Sequence, residues 1–406
     1  GYIIMNVIFI SPHFPDYFYN FCDRLKVRGV RVLGIGDANY ENLPYHTKLA
    51  LTEYYRVDDL ENYDSVYRAC AYFTWHYGKI DWIESQNEYW LELEATLRNE
   101  FNVTTGTKIQ NLSPMKYKSK MKEVYQKIGI PTARYRKVDD YLATKAFANK
   151  VGYPVIVKPD NGVGASSTYK LKNDDELDYF FATKPSYIQF IIEELVPGHV
   201  ETFDGITDKD KNILICSSHV MLNSIMDNVN ELSDTAFYSQ PVEGLDLYEI
   251  GKKVVEAFDT RSRFYHFEFF RLDEDKEGLG RKGDIVGLEV NMRAPGAYMP
   301  DMIDFAYNVD VYTIWADMIK YNQCFYDIHR EYWVAYTGRR EGIWYMHNYD
   351  QIRETYGQNI ALETDVPESL SGAMGNHVFI VKSKSKEELF EMIRYILKRE
   401  DGTDWF

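Results

Sequence analysis

One stretch narrows what this chain can fold into, residues 263–296, RFYHFEFFRLDEDKEGLGRKGDIVGLEVNMRAPG. Two short runs rich in aromatic and β-branched residues are joined by a charged, glycine-containing turn, the pattern of two neighbouring antiparallel strands. Side chains alternate faces along a strand, so His266, Glu268 and Phe270 share one face of the first run. By the same rule Glu289, Asn291 and Arg293 share a face of the second, with Leu288 and Val290 on the other. Glu268 stands among Phe264, Tyr265, Phe267, Phe269 and Phe270, a poor place for an unpaired carboxylate. Burying such a charge is costly unless it is paired or coordinates a metal. Two carboxylates and an amide oxygen on facing strands make a hard-oxygen site suited to Mg²⁺. Arg293 is then in reach of the same anion. The plainer reading of the hairpin is a salt-bridged pair of amphipathic strands.

A chain of 406 residues has room for two or three sub-domains with sizeable cores. The formal charge of −16 argues against a general nucleic-acid binder, which needs a basic face to neutralise phosphates. Cys22, Cys70, Cys216 and Cys324 are far apart and form no C-x-x-C pair, so they read as reduced core thiols of a cytoplasmic protein. No apolar run approaches membrane-spanning length, and the start GYIIMNVIFI lacks the marks of a signal peptide. Met5 is a candidate natural start, with residues 1–4 a remnant of processing or cloning.

The first hundred residues alternate strand and helix: strand 6–10, helix 16–28, strand 30–35, helix 64–79, strand 80–83, helix 87–100. That is the signature of a parallel α/β sheet. Gly34-x-Gly36-Asp37 is too short for a dinucleotide fingerprint and reads as a turn. Asn87 and Glu88, just past a strand's carboxyl end, are placed to touch ligand, though capping the next helix is the simpler expectation. From Ser113 the composition turns basic, with one helix expected between Pro114 and Gly129. Its five lysines, Lys116, Lys118, Lys120, Lys122 and Lys127, cannot all face one way, so most should be solvated. A buried-type strand at 155–157 ends in Lys158 and runs into Asn161-Gly162-Val163-Gly164-Ala165-Ser166-Ser167. Glycines there let backbone N–H groups turn toward an anion, and the lysine adds a point charge. A glycine-rich hairpin turn without ligand is the alternative. Strands follow at 187–194, 199–206 and 213–220, with a break after Glu193 and Glu194 that looks like a hinge. Residues 221–244 have little periodicity and read as a long functional loop. A helix at 245–258 leads to the central hairpin. Helices at 301–307 and 309–320, a loop at 371–375, a strand at 377–382 and a helix at 386–398 complete the chain.

Taken in order, these motifs resemble the ATP-grasp superfamily, closest to carbamoyl-phosphate-synthetase-like and L-amino-acid-ligase-like carboxylate–amine ligases. The motifs are GIPTARY, PVIVKPDNGVGASS, IIEELVPGHVE, FYHFEFF and GLEVNMRAPG, and the resemblance covers roughly residues 5–320. It implies an α/β ATP-grasp fold with an N-terminal Rossmann-like parallel-sheet domain (1–108) and two ATP-clasping lobes. The small lobe (109–186) would carry the glycine-rich loop and the large lobe (187–325) the Mg²⁺ site, with residues 326–406 an extension packing on the large lobe. It further implies that Lys118 and Lys158 contact ATP phosphates and that Gly162, Gly164, Ala165, Ser166 and Ser167 fold over them. Adenine would lie against Glu193, the backbone of Glu194 and Val196, and Glu201 would sit near the ribose. Glu268, Glu289 and Asn291 would hold Mg²⁺, with Mn²⁺ able to substitute, and Arg293 and Lys158 would steady the reacting phosphoryl group. His219, Asn223, Tyr238, Gln240 and Tyr298 are candidate acceptor contacts.

The implied activity is ligation: ATP converts an amino acid or other small carboxylate to an acyl phosphate, an amine displaces the phosphate, and ADP leaves. A small-molecule kinase or bicarbonate-activating enzyme is the alternative within the same chemistry, and a non-catalytic nucleotide-binding or assembly protein the alternative outside it. The expected partners are small-molecule carboxylate and amine substrates, with no nucleic acid and no membrane, and a homodimer is compatible with the pattern.

Overall fold

The structure, a computed structural model, describes residues 3–161, 167–222 and 234–404. Three sheets organise it. The first is parallel, in the order β3 (Glu53–Arg56), β2 (Arg31–Gly36), β1 (Asn6–Ile10), β4 (Trp82–Glu84). All five residues of β1 are buried, as a parallel strand covered on both faces requires. Val7 and Phe9 face the helices Tyr19–Val27 and Val311–Tyr321, while Ile8 and Ile10 join the core under the helix Tyr63–Tyr77. Each such buried side chain contributes roughly 1.5–3 kcal/mol. Gly34 and Gly36 belong to β2 rather than to a turn. A Cβ on Gly36 would lie 2.7 Å from the Tyr54 hydroxyl, so these glycines serve close packing.

The second sheet is antiparallel, in the order β5 (Tyr135–Lys137), β8 (Phe190–Glu194), β6 (Val155–Pro159), β7 (Tyr169–Leu171). Two helices precede it, Ser113–Lys116 and Lys118–Lys127, where a single one was expected, and extended Tyr117 separates them. The break reorients the second helix so that Tyr125 lies over Gly287, whose missing side chain leaves room for the ring.

The third sheet has eight strands in the order β13 (Ile285–Asn291), β12 (Phe264–Leu272), β9 (Gly198–Thr207), β10 (Ile213–Met221), β11 (Thr235–Gln240), β14 (Trp333–Arg339), β16 (His377–Ser383), β15 (Ile360–Asp365). The hairpin expected from the sequence is β12–β13. The expected loop at 221–244 contains β11, and the loop at 371–375 falls largely in the helix Glu368–Met374. Strand β11, TAFYSQ, has no clean alternation of polar and apolar residues. Its neighbours β10 and β14 hold it in place. The sheet continues without a break past residue 325, because β14 pairs with β11 and β16 with β14.

Register assigns the two faces of this sheet. Phe203, Phe267 and Phe269 pack against the helix Asp246–Ala257. The opposite face packs against the helices Met299–Tyr307 and Val311–Tyr321, and through them against the first sheet. A buried ionic cluster reinforces that junction. Arg263 Nη1 reaches both carboxylate oxygens of Glu84, at 2.9 and 2.8 Å, and Arg263 Nη2 donates to the Met292 carbonyl at 2.6 Å. Arg98 lies 3.6 Å from Glu84 and 3.8 Å from Glu94. The end of β4 is thereby tied to the start of β12 and the residue after β13.

Candidate active site

The site forms where the helix Lys118–Lys127, strands β6 and β8, and the hairpin β12–β13 meet. Pairing places Glu268 opposite Glu289 and His266 opposite Asn291. Phe269 then pairs with Gly287, so Leu288 is one residue extra on β13. Such a bulge re-aims the side chain beside it, here Glu289. Lys118 Nζ lies 2.7 Å from Glu289 Oε2. Burial alone would raise the Glu289 carboxyl, but the Lys118 ammonium outweighs it and holds the group down at about 2. Asn291 donates its Nδ2 to the His266 carbonyl at 3.1 Å, which leaves its Oδ1 as an acceptor beside the two carboxylates. Glu268, Glu289 and Asn291 therefore present hard oxygen donors, the set that suits Mg²⁺.

Lys158, at the end of β6, pairs with Glu193 Oε1 at 2.5 Å, and Lys122 meets the other oxygen of the same carboxylate. Burial would raise Glu193, but the two ammonium groups hold it at about 2. Lys118 and Lys122 are buried, because each has a carboxylate to meet, while Lys120 and Lys127 are exposed and Lys116 is partly so. Glu193 is held between Lys122 and Lys158. Glu194 turns away from them to Arg134 Nη2 at 2.9 Å and Lys276 at 3.0 Å. Val196 is buried against Leu272, Leu279 and Val286, and the Leu195 carbonyl accepts from Lys276 at 2.5 Å.

Glu201 belongs to β9. It pairs with Phe269 and Val220, so its side chain lies on the face opposite Glu268. There it is held by Arg271 Nε and His199 Nε2, both at 2.8 Å, and by Gln240 at 3.2 Å. Tyr238 and Gln240 share that face. His219 and Tyr298 lie on the Glu268 side, where Tyr298 stacks on Tyr336. Ser167 is exposed with φ of 61°, while Gly162, Gly164, Ala165, Ser166 and Asn223 lie outside the described residues.

Arg293 lies beyond β13, half-buried, with Nε 3.8 Å from Glu88 Oε2. Glu88 is the residue that sequence reasoning undervalued. Asn87 does the capping, accepting from Tyr89 N at 3.0 Å, and this frees Glu88 to point inward. It lines a cavity of about 210 Å³ with Lys116, Lys118, Asn161, Glu289 and Asn291. Burial pushes its carboxyl up to about 7, a shift that Arg293 only partly offsets. Its position at the carboxyl end of a parallel strand was the available signal.

A second polar layer stands behind Glu268. His266 Nε2 lies 3.1 Å from Glu268 Oε1, and His266 Nδ1 lies 2.5 Å from Asp204 Oδ1. Asp204 Oδ2 lies 2.7 Å from His219 Nδ1 and accepts from the Thr202 hydroxyl. Burial opposes the charge on His266, but Asp204 and Glu268 lift the ring to about 9. Asp204, at about 2, stays ionised against the cost of its burial because two imidazoles face it.

Comparison with known proteins adds the family context. Residues 117–225 match the model of the carbamoyl-phosphate synthase L chain, ATP binding domain. The L-arginine-specific L-amino acid ligase of Bacillus subtilis is 25% identical over 247 residues, 58% of this chain and 56% of that protein. The chain thus spans little more than half the length of that curated relative, and about a tenth of the carbamoyl phosphate synthase large chains it also matches. The crystal structure of the L-amino acid ligase from Bacillus licheniformis superposes with a TM-score of 0.72 at 15% identity, covering 99% of this chain and 98% of that one. The biotin carboxylase domain of the 2-oxoglutarate carboxylase from Hydrogenobacter thermophilus, solved with MgADP and bicarbonate, superposes at 0.67 and 15% identity over 97% and 89%.

Proposed function

We propose that the chain is a member of the ATP-grasp superfamily and that it is an ATP- and Mg²⁺-dependent carboxylate–amine ligase acting on small molecules. The observation that carries this reading is the meeting of Lys118 and Glu289 beside Glu268 and Asn291, where one helix and one hairpin bring cations and hard oxygen donors together. Glu268, Glu289 and the Asn291 amide oxygen would hold Mg²⁺, which supplies charge neutralisation at the transferring phosphoryl group. Mn²⁺ shares the preference for oxygen donors and would substitute.

A carboxylate is a poor electrophile for an amine, and conversion to an acyl phosphate supplies a good leaving group. Such a transfer needs positioning and electrostatics more than a protein nucleophile. Lys118 and Lys158 would bind phosphate oxygens once these exchange with the carboxylates now holding them. Arg293, beside Glu88, would steady the reacting phosphoryl group. The second layer of His266 and Asp204 fixes Glu268 in place. Of the substrates, the alignment with the L-arginine-specific ligase favours amino acids over other small carboxylates.

The test is ADP release from Mg·ATP across pools of amino acids and small carboxylates, with Glu289→Ala as control. Release that depends on one pool and falls at least a hundredfold in the variant supports the proposal, and mass spectrometry of an amide product separates ligase from kinase. Release that survives Glu289→Ala, or a phosphorylated end product with no amide, overturns it.

A further inference from the structure

We propose that His219 is the base that takes a proton from the attacking amine, with Asp204 as its positioning residue; the assignment rests on the ligase reading above. The residue is held through its ring and its backbone. Its Nδ1 lies 2.7 Å from Asp204 Oδ2, and the His219 backbone N–H donates to Thr202 Oγ at 2.9 Å. An ionised carboxylate only accepts, so Nδ1 carries the hydrogen and Nε2 the lone pair. Among the described residues Nε2 has no hydrogen-bond partner, although His219 is fully buried. A buried acceptor with no donor is costly unless something supplies one. An ammonium group does.

The position suits the reaction. His219 is aligned with Thr202, which is opposite Glu268, which is opposite Glu289, a single row across β10, β9, β12 and β13. Two inter-strand steps separate His219 from Glu268, about 10 Å. Thr202 stands between them in that row. Tyr298 and Phe237 share this face, and Phe237 meets the imidazole edge to face with centroids 6.4 Å apart. An apolar ring thus covers one side of the imidazole, and Ser239 is its register partner on β11.

The step balances. The bound ammonium gives one proton to Nε2 and becomes the neutral nucleophile. Its nitrogen lone pair forms the C–N bond to the acyl carbon as the C–O bond to phosphate breaks, the bonding electrons leaving with phosphate. The second proton of the nitrogen departs on that phosphate, and His219 returns its own proton to solvent when product leaves.

Hydroxylamine separates this role from a structural one, because it is largely unprotonated at neutral pH and needs no base. The full chain, His219→Gln and His219→Ala are each given Mg·ATP and the active acid pool, with either the acceptor amine or hydroxylamine. The expected result is hydroxamate formation within about twofold of the unsubstituted chain, with amide formation down by about a hundredfold or more. Equal loss of both products, or no loss of amide, overturns the assignment. No hydroxamate from the unsubstituted chain overturns the ligase reading itself, a distinct outcome. Should both variants fail to fold, acceptors of graded basicity decide the matter on the unsubstituted chain. Amide rates at pH 7 that vary little across the series support a protein base, and rates proportional to the neutral-amine fraction exclude one.

Discussion

At the scale of single residues, two glutamates carry opposite pH signatures. Glu193 has a folded pKa of about 2, below the unfolded value, so its contribution is complete above about pH 4.3 and is lost as pH falls toward 2. Glu193→Gln removes that acid-limb slope. It also leaves Lys122 and Lys158 facing each other without a shared carboxylate, a loss of about 3–5 kcal/mol at neutral pH that urea unfolding would read. Glu88 behaves the other way. Its carboxyl stays protonated to about pH 7 in the fold but ionises near 4.3 when unfolded, so stability falls as pH rises between those values. Glu88→Gln should therefore be more stable than the unsubstituted chain at pH 8, by about 2–3 kcal/mol, and similar to it at pH 4, with thermal melts at both pH values as the check. The hairpin residues were legible because alternation groups His266 with Glu268 and Glu289 with Asn291, and pairing of the two strands then sets Glu268 opposite Glu289. Glu88 and Lys122 were not. Nothing local says that a helix-start glutamate faces inward, or that a lysine in a basic run meets a carboxylate 71 positions later.

At the scale of elements, the hairpin and the parallel strands announced themselves through apolar runs and turn residues, whereas β11 did not. Its six residues put Phe237 on one face and Tyr238 on the other, and only pairing on both sides makes TAFYSQ a strand. The face of Glu201 was likewise unreadable, since it depends on the register of β9 with β12. The pairing of β9 with β10 constrains Gly205, where a Cβ would fall 2.2 Å from the Ile215 carbonyl. Gly205→Ala should push β9 and β10 apart at the centre of the large sheet. The expected cost is about 3 kcal/mol or more, seen as a lower urea midpoint. Gly244→Ala, with open space around the Cβ, is the control for backbone conformation alone.

At the scale of the whole molecule, the last eighty residues are part of the large sheet. Ending the chain after residue 325 would strip β14 from β11 and expose the stacked face of Phe237 that Tyr336 covers. An unpaired apolar edge of that kind templates aggregation, so the truncated chain is expected in the insoluble fraction while the full chain is soluble. The sequence order of motifs pointed to the site before any of this, but it could not say that the C-terminal strands complete the sheet beneath it. The Lys118–Glu289 pair has a last consequence. Under the proposed assignment, the carboxylate that would take the metal is the one that now holds the lysine that would meet phosphate. Each guest therefore releases the other's host group, and linkage makes the effect reciprocal: whatever factor the cation adds to nucleotide affinity, the nucleotide must return to the cation. On that assignment each would bind more tightly in the presence of the other, and the pocket would fill by two arrivals at once.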